Sequence, residues 1–385
     1  MSRLAFCYVL LAALPVAAQA GEDGPAETPG TYDHVRAALP EPGQWALLHG
    51  SEITAPTLVG KQEFPDCRQW RGCDGSKAFL SWTGMAWDET GGQWWQLAGG
   101  GQRDHGGNEI YRFSFSTGTW LRMWDPVVWT ESADAPECRA PANGPVPSHS
   151  YDGSVYIPQT NEVLLLSNAP GCSKGGYGGR LAWAWSVSEK RWRNLAHLTD
   201  GSIRRFRYPK TAVDATRGVL YAMLDNELVT LDLASNDYAV LSIDNAYRSS
   251  SGSALFDDKS RRLVWLNRSD GIYRRRIGLG GLLGDRERLV RYTKEKPAPP
   301  NQMSSLALHT PTGELVQWDG GDLVYRTLPN GVQEALVPLD GPRPPETTRR
   351  VVYSKWVYLE TLDVFLGIDD ARDGVWLYRL PTSTR

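Results

Sequence analysis

Six short polar turns recur along this 385-residue chain, and each is followed by an apolar run of five or six residues. The turns are Asp88–Gln93, Gln159–Glu162, Asp214–Gly218, Asp257–Arg261, Thr310–Glu314 and Glu360–Asp363, and the runs start at Trp94, Val163, Val219, Leu263, Leu315 and Val364. Short β-branched and aromatic runs bounded by Gly, Asn or Asp read as strands. A second strand follows each run, starting at Glu109, Arg180, Glu227, Gly271, Asp322 and Gly374, and several of these alternate apolar with polar residues as a half-buried strand does. In three repeats an apolar residue is followed seven positions later by an aromatic one: Phe113 and Trp120, Trp185 and Trp192, Leu231 and Tyr238. No stretch carries the apolar period of a three-turn helix. A unit this small cannot bury its own apolar faces, so the repeats must stack on one another.

The repeat predicts an all-β fold, a six-bladed β-propeller of four-stranded antiparallel sheets. The last repeat stops at Leu380 with three strands. Gly43–Leu48, which has the aromatic start of the fourth strands at Trp120 and Trp192, supplies the missing one. The ring is thus expected to be closed by an N-terminal strand, leaving no gap between the first and last sheets. The pattern resembles kelch-type propellers, including the propeller of galactose oxidase. The resemblance is carried by Gly99-Gly100-Gly101, the tract Gly106–Tyr111, Trp120, the tract Pro147–Tyr151 and the closing Gly374–Tyr378, and it spans nearly all of the chain after the leader. Kelch blades usually carry a Gly pair after the second strand; here the first and fifth repeats do, at Gly99–Gly101 and Gly320-Gly321.

Arg3, the apolar run Leu4–Ala18 and the small residues Ala18 and Ala20 predict a signal peptide over residues 1–20. A Gly- and Pro-rich leader, residues 21–40, is expected to be flexible, and residues 41–385 to form one propeller domain. The expected location is periplasmic or extracellular. No later run is long and apolar enough to span a bilayer, so no membrane span is expected in the mature chain. A formal net charge of −3 argues against a nucleic-acid partner. Cys67, Cys73, Cys138 and Cys172 follow the signal peptide, an even count that suggests two disulfides in an oxidising compartment. Three pairings exist; proximity in sequence prefers Cys67–Cys73 with Cys138–Cys172, and a zinc site is the runner-up.

Loops joining second to third strands, and one blade to the next, share one face of such a ring, and the longest fall in the first two repeats. On that face His149, Tyr151 and Arg207 are the candidate catalytic residues. Arg103, His105, Tyr177, Arg204, Tyr208, Lys210, Arg268 and Arg350 are candidate ligand contacts. Several cations around a funnel favour an anionic ligand, and a His or Tyr beside them can accept a proton. Three function classes follow. One is an exported protein that binds or processes an acidic oligo- or polysaccharide, with a polysaccharide lyase as the enzymatic version: Arg204 or Arg207 would neutralise a uronate, and His149 or Tyr151 would be the base. Another is a non-catalytic module for a protein partner. The third, a copper radical oxidase by analogy with galactose oxidase, needs a free Cys that paired cysteines deny it. Sialic acid mutarotases of kelch type are similar in size, but no motif carries that activity across. No cofactor is required by the sequence, and no metal ligand set is assigned.

Overall fold

The computed structural model describes residues 30–53, 82–97, 99, 108–125, 143–170, 181–195, 198, 208–224, 226–235, 237–244, 247, 252–267, 270–278, 280–293, 304–345 and 352–382. Six four-stranded antiparallel sheets are arranged as a β-propeller. The innermost strands of blades 1 to 6 are Ala86–Asp88, Ser154–Ile157, Lys210–Asp214, Ala254–Asp257, Ser305–His309 and Trp356–Leu359. Each innermost strand ends at a four-residue turn and pairs with one of the apolar runs. In blade 2 an additional two-residue strand, Ser148–His149, pairs with the far end of Glu162–Pro170.

The core lies between the sheets. Six apolar clusters each join one blade to the next, for example Trp95 and Ile110 with Val163 and Trp185, or Val316 and Trp318 with Trp356 and Phe365. A middle strand is therefore covered on both faces, which is why the runs read as continuously apolar rather than alternating. The outermost strand of blade 4, Leu283–Arg291, faces solvent along most of its length and carries five charged residues. The seven-residue offsets are cross-strand partners: Phe113 opposes Trp120, Trp185 opposes Trp192 and Leu231 opposes Tyr238. Such facing pairs are the unit of sheet stabilisation.

Ring closure takes place through Trp45–Leu48, which pairs antiparallel with Val375–Tyr378 as the fourth strand of blade 6. Trp45 is buried, lies within 6 Å of the rings of Trp318, Trp356 and Tyr378, and donates its indole N–H to the Asp322 carbonyl at 2.9 Å. Within the segment expected to be a flexible leader, Asp33–Ala37 forms one helical turn. Tyr32 and Val35, three residues apart and thus on one side of that turn, are buried against blade 1, where Tyr32 meets Trp87 and Phe115. Burial of this pair is what orders the segment.

Candidate functional site

The strand pairings place the six innermost strands in a common register, because in each case four residues separate the end of the strand from the start of its partner. Equivalent residues then form layers along the central channel. The cavity bounded by these strands measures about 500 Å³ and reaches from Asp152, Ser253 and Ser354 at one end to Glu89 and Glu360 at the other.

The layer at the start of the strands is aromatic. Trp82, Tyr151, Tyr208 and Tyr353 occupy the same register position in blades 1, 2, 3 and 6, and pack as one cluster. The Tyr151 ring is 4.9 Å from Tyr208, 5.7 Å from Tyr353 and 6.4 Å from Trp82, centroid to centroid. All four residues have positive φ, of 55°, 52°, 49° and 44° for Trp82, Tyr151, Tyr208 and Tyr353. For bulky L-residues this conformation is rare and strained, and such strain gathers at binding and catalytic sites. Tyr151 and Tyr353 are buried, whereas Trp82 and Tyr208 remain partly exposed. His149 joins the collar, its Nδ1 3.4 Å from the Tyr151 hydroxyl and its ring 6.1 Å from Trp82.

One layer below, Asp152 reaches across the ring axis. Its carboxylate accepts from the Ala254 N–H of blade 4 at 2.8 Å, from the Thr211 N–H of blade 3 and from Ser354 of blade 6. Contacts to three other blades place this carboxylate at the axis, where it plugs the channel. Burial pushes its pKa well above the usual carboxylate range, against the lowering effect of its hydrogen bonds and of Lys210. Gly153 follows because the chain is pressed against Pro209 and the Leu166 carbonyl, leaving no space for a Cβ. Lys210 is 1% exposed, and its ammonium has no hydrogen-bond partner among the described residues. Burial lowers its pKa to about 8, with Asp152 acting the other way. Lys355, in the same layer of blade 6, donates to the Asp369 carbonyl at 3.2 Å and is likewise lowered to about 8 by burial.

Of the residues selected from sequence, the fold brings together His149, Tyr151, Tyr208 and Lys210 at this mouth. Arg103, His105, Tyr177, Arg204, Arg207, Arg268 and Arg350, and all four cysteines, lie outside the described residues. By sequence alone His149 would open the innermost strand of blade 2, and the structure corrects this. His149 belongs to the additional strand and not to the innermost one, which begins at Ser154. Sequence reasoning missed Trp82, Tyr353 and Asp152. The signal for the first two is an aromatic pair five residues apart, Trp82 and Trp87, Tyr151 and Tyr156, Tyr353 and Tyr358, repeated in three blades.

Neither a family model nor a curated protein sequence matches the chain. Its similarity is to solved propeller structures. An auxiliary nutrient binding protein from Bacteroides thetaiotaomicron VPI-5482 superposes with a TM-score of 0.50 and 8% identity, covering 77% of this chain and 68% of that one. An auxiliary nutrient binding protein from Bacteroides ovatus ATCC 8483 gives a TM-score of 0.47 at 9% identity, over 78% of this chain and 69% of that one. At these identities the shared property is the fold. Among the described residues no helix is long and apolar enough to cross a membrane.

Proposed function

We propose that this protein is an exported binding propeller that takes an acidic carbohydrate over the collar mouth. The observation that carries the reading is the set of four strained aromatic residues in one register layer, two of them partly exposed. Sugar rings present C–H faces that pack on aromatic side chains, and such platforms give large contact area at low entropic cost. The acidic preference rests on sequence: Arg204 and Arg207 stand four and one residues before Tyr208, and Arg350 stands three before Tyr353. Lys210, buried just below and without a hydrogen-bond partner among the described residues, adds positive charge at the same mouth while it is protonated. The description of the B. thetaiotaomicron neighbour as a nutrient binding protein agrees with binding as the role. Kelch-type ancestry of the blades, on the glycine tracts quoted above, belongs to the same proposal.

Titration of oligouronates and matched neutral oligosaccharides, followed by calorimetry, tests it. The acidic series is expected to bind more tightly, and Tyr208→Ala to weaken it about tenfold through loss of the stacking face. Equal affinity for both series, or an unchanged constant in Tyr208→Ala, contradicts the reading.

A lyase reading is favoured by one contact, that between His149 Nδ1 and the Tyr151 hydroxyl. One of the two groups would take the C5 proton while Arg207 holds the uronate carboxylate; the C5–H pair becomes the C4=C5 double bond, and the C4–O bond breaks with its pair on the departing sugar oxygen, which takes a proton from the other group or from water. Ultraviolet absorbance of unsaturated ends separates turnover from binding, and His149→Ala is expected to abolish it. Absence of such absorbance with every uronic-acid polymer leaves binding alone.

A further inference from the structure

The channel has a second mouth, opposite the collar, whose chemistry differs. The last inward layer before the turns is Trp87, Tyr156, Val213, Phe256, Leu308 and Tyr358, one residue per blade, all half-buried along the cavity. Three of its aromatic rings, Tyr358, Trp87 and Tyr156, come from the consecutive blades 6, 1 and 2. The fourth, Phe256, already carries the Arg261 guanidinium 4.7 Å from its centroid, and that guanidinium is neutralised by Asp214. The two halves of the mouth are therefore unequal: a guanidinium lies over Phe256, whereas among the described residues none lies over Trp87, Tyr156 or Tyr358, and Arg379 of blade 6 is drawn to Asp363.

Tyr358 and Trp87 are each packed on one side, by His309 and Phe365 and by Trp94 and Phe115, and the rim above the three rings is acidic. Glu89 and Glu360 are the first turn residues of blades 1 and 6 and both line the cavity. Burial first, and then the charge of Glu360, push the Glu89 carboxyl up, so the two carboxylates feel one another. Neither has an ion-pair or hydrogen-bond partner through its carboxylate among the described residues. Asp88 is held by the Gly91 N–H at 2.9 Å, and Asp363 accepts from the Tyr358 hydroxyl at 3.0 Å with Arg379 at 3.7 Å, so those acids are already engaged. Half-buried aromatic rings beneath carboxylates without partners among the described residues, at the opening of a cavity, form the environment that recognises alkylated ammonium groups through ring quadrupoles and charge. The volume suits a small organic ligand.

We infer that this second mouth is a binding site for a small alkylammonium ligand, seated between Trp87, Tyr156 and Tyr358 and held by Glu89 and Glu360. It is separate from the collar, because the Asp152 plug lies between the two mouths.

Choline, its neutral isostere 3,3-dimethylbutan-1-ol and the anion 3,3-dimethylbutanoate are the probes, read by calorimetry and by saturation-transfer NMR on the full chain. Choline is expected to bind about tenfold more tightly than the alcohol, and the anion not at all. The double substitution Glu89→Gln with Glu360→Gln is expected to bring choline down to the level of the alcohol and to leave the alcohol unchanged. Its urea midpoint should not fall, since two repelling carboxylates are removed. Tyr208→Ala, at the other mouth, should leave choline affinity as it was, so this inference and the carbohydrate reading stand or fall separately. Choline and the alcohol binding alike, choline binding untouched by the double substitution, or no choline binding at millimolar concentration would each overturn it.

Discussion

Replacing Trp45 with alanine is expected to lower stability by about 3–5 kcal/mol, the range for truncating a fully buried tryptophan. The residue joins three aromatic neighbours in blades 5 and 6 and anchors the closing strand to the Asp322 carbonyl, so its loss removes packing and one hydrogen bond at once. The strand it belongs to is only four residues long and supplies the N-terminal strand of blade 6. Once it detaches, Val375–Tyr378 becomes an unpaired edge and the ring can part between blades 6 and 1. Urea denaturation should show the fall in midpoint. Hydrogen exchange should show Val375–Tyr378 opening first, well before the middle strands of blades 2 to 5. Unchanged protection in that strand would mean that closure does not depend on this anchor.

The second large effect concerns alkaline pH. Lys210 and Lys355 are buried with pKa values lowered from 10.5 to about 8. Between those two values the folded amine has lost its proton while the unfolded chain keeps it, so the folded state binds fewer protons. Stability must then rise with pH across that window; below about 8 both states are protonated and the burial penalty is present in full. Each lysine contributes at most about 1.4 kcal/mol per pH unit, or roughly 3 kcal/mol over the window. The buried tyrosines act in the opposite sense above pH 10. Tyr292 and Tyr378, pushed up to about 12 by burial, ionise more readily once unfolded, and favour unfolding there. The clean interval is therefore pH 8 to about 9.5. In it, urea midpoints of the wild type should climb, and Lys210→Met, which keeps the apolar stem and removes the amine, should flatten the climb by about half. A wild-type profile that is level or falling over this interval would show that the amines are solvated.

The blade architecture was legible because its determinants are local. A turn of fixed length fixes which residues face each other in a hairpin, so Phe113 and Trp120, seven positions apart, are partners as the spacing implied. The continuous apolar character of Val219–Leu224 likewise requires cover on both faces, which only stacked sheets supply. Even closure was readable, since blade 6 lacked one strand and Gly43–Leu48 had no other partner. Tyr32 and Val35 were hidden by the Gly and Pro around them: composition suggested a loose leader, while two well-placed apolar side chains were enough to dock it.

The candidate site was legible only in part, for the converse reason. His149, Tyr151, Tyr208 and Lys210 could be selected because they precede or open recognisable innermost strands. Asp152 could not, since its partners Thr211, Ala254 and Ser354 lie in three other blades and no spacing links them. The same holds for Glu89 and Glu360, which meet at one rim from the first and last blades. By itself the sequence determined the number of sheets, their strand pairing and the way the ring closes, because hairpin turns and side-chain alternation act over a few residues. Which side chains share a layer of the channel, and which of them face one another across it, was decided by the tertiary structure alone. That outcome depends on the channel radius and on the common register of six strands, quantities that exist only once all the sheets have packed.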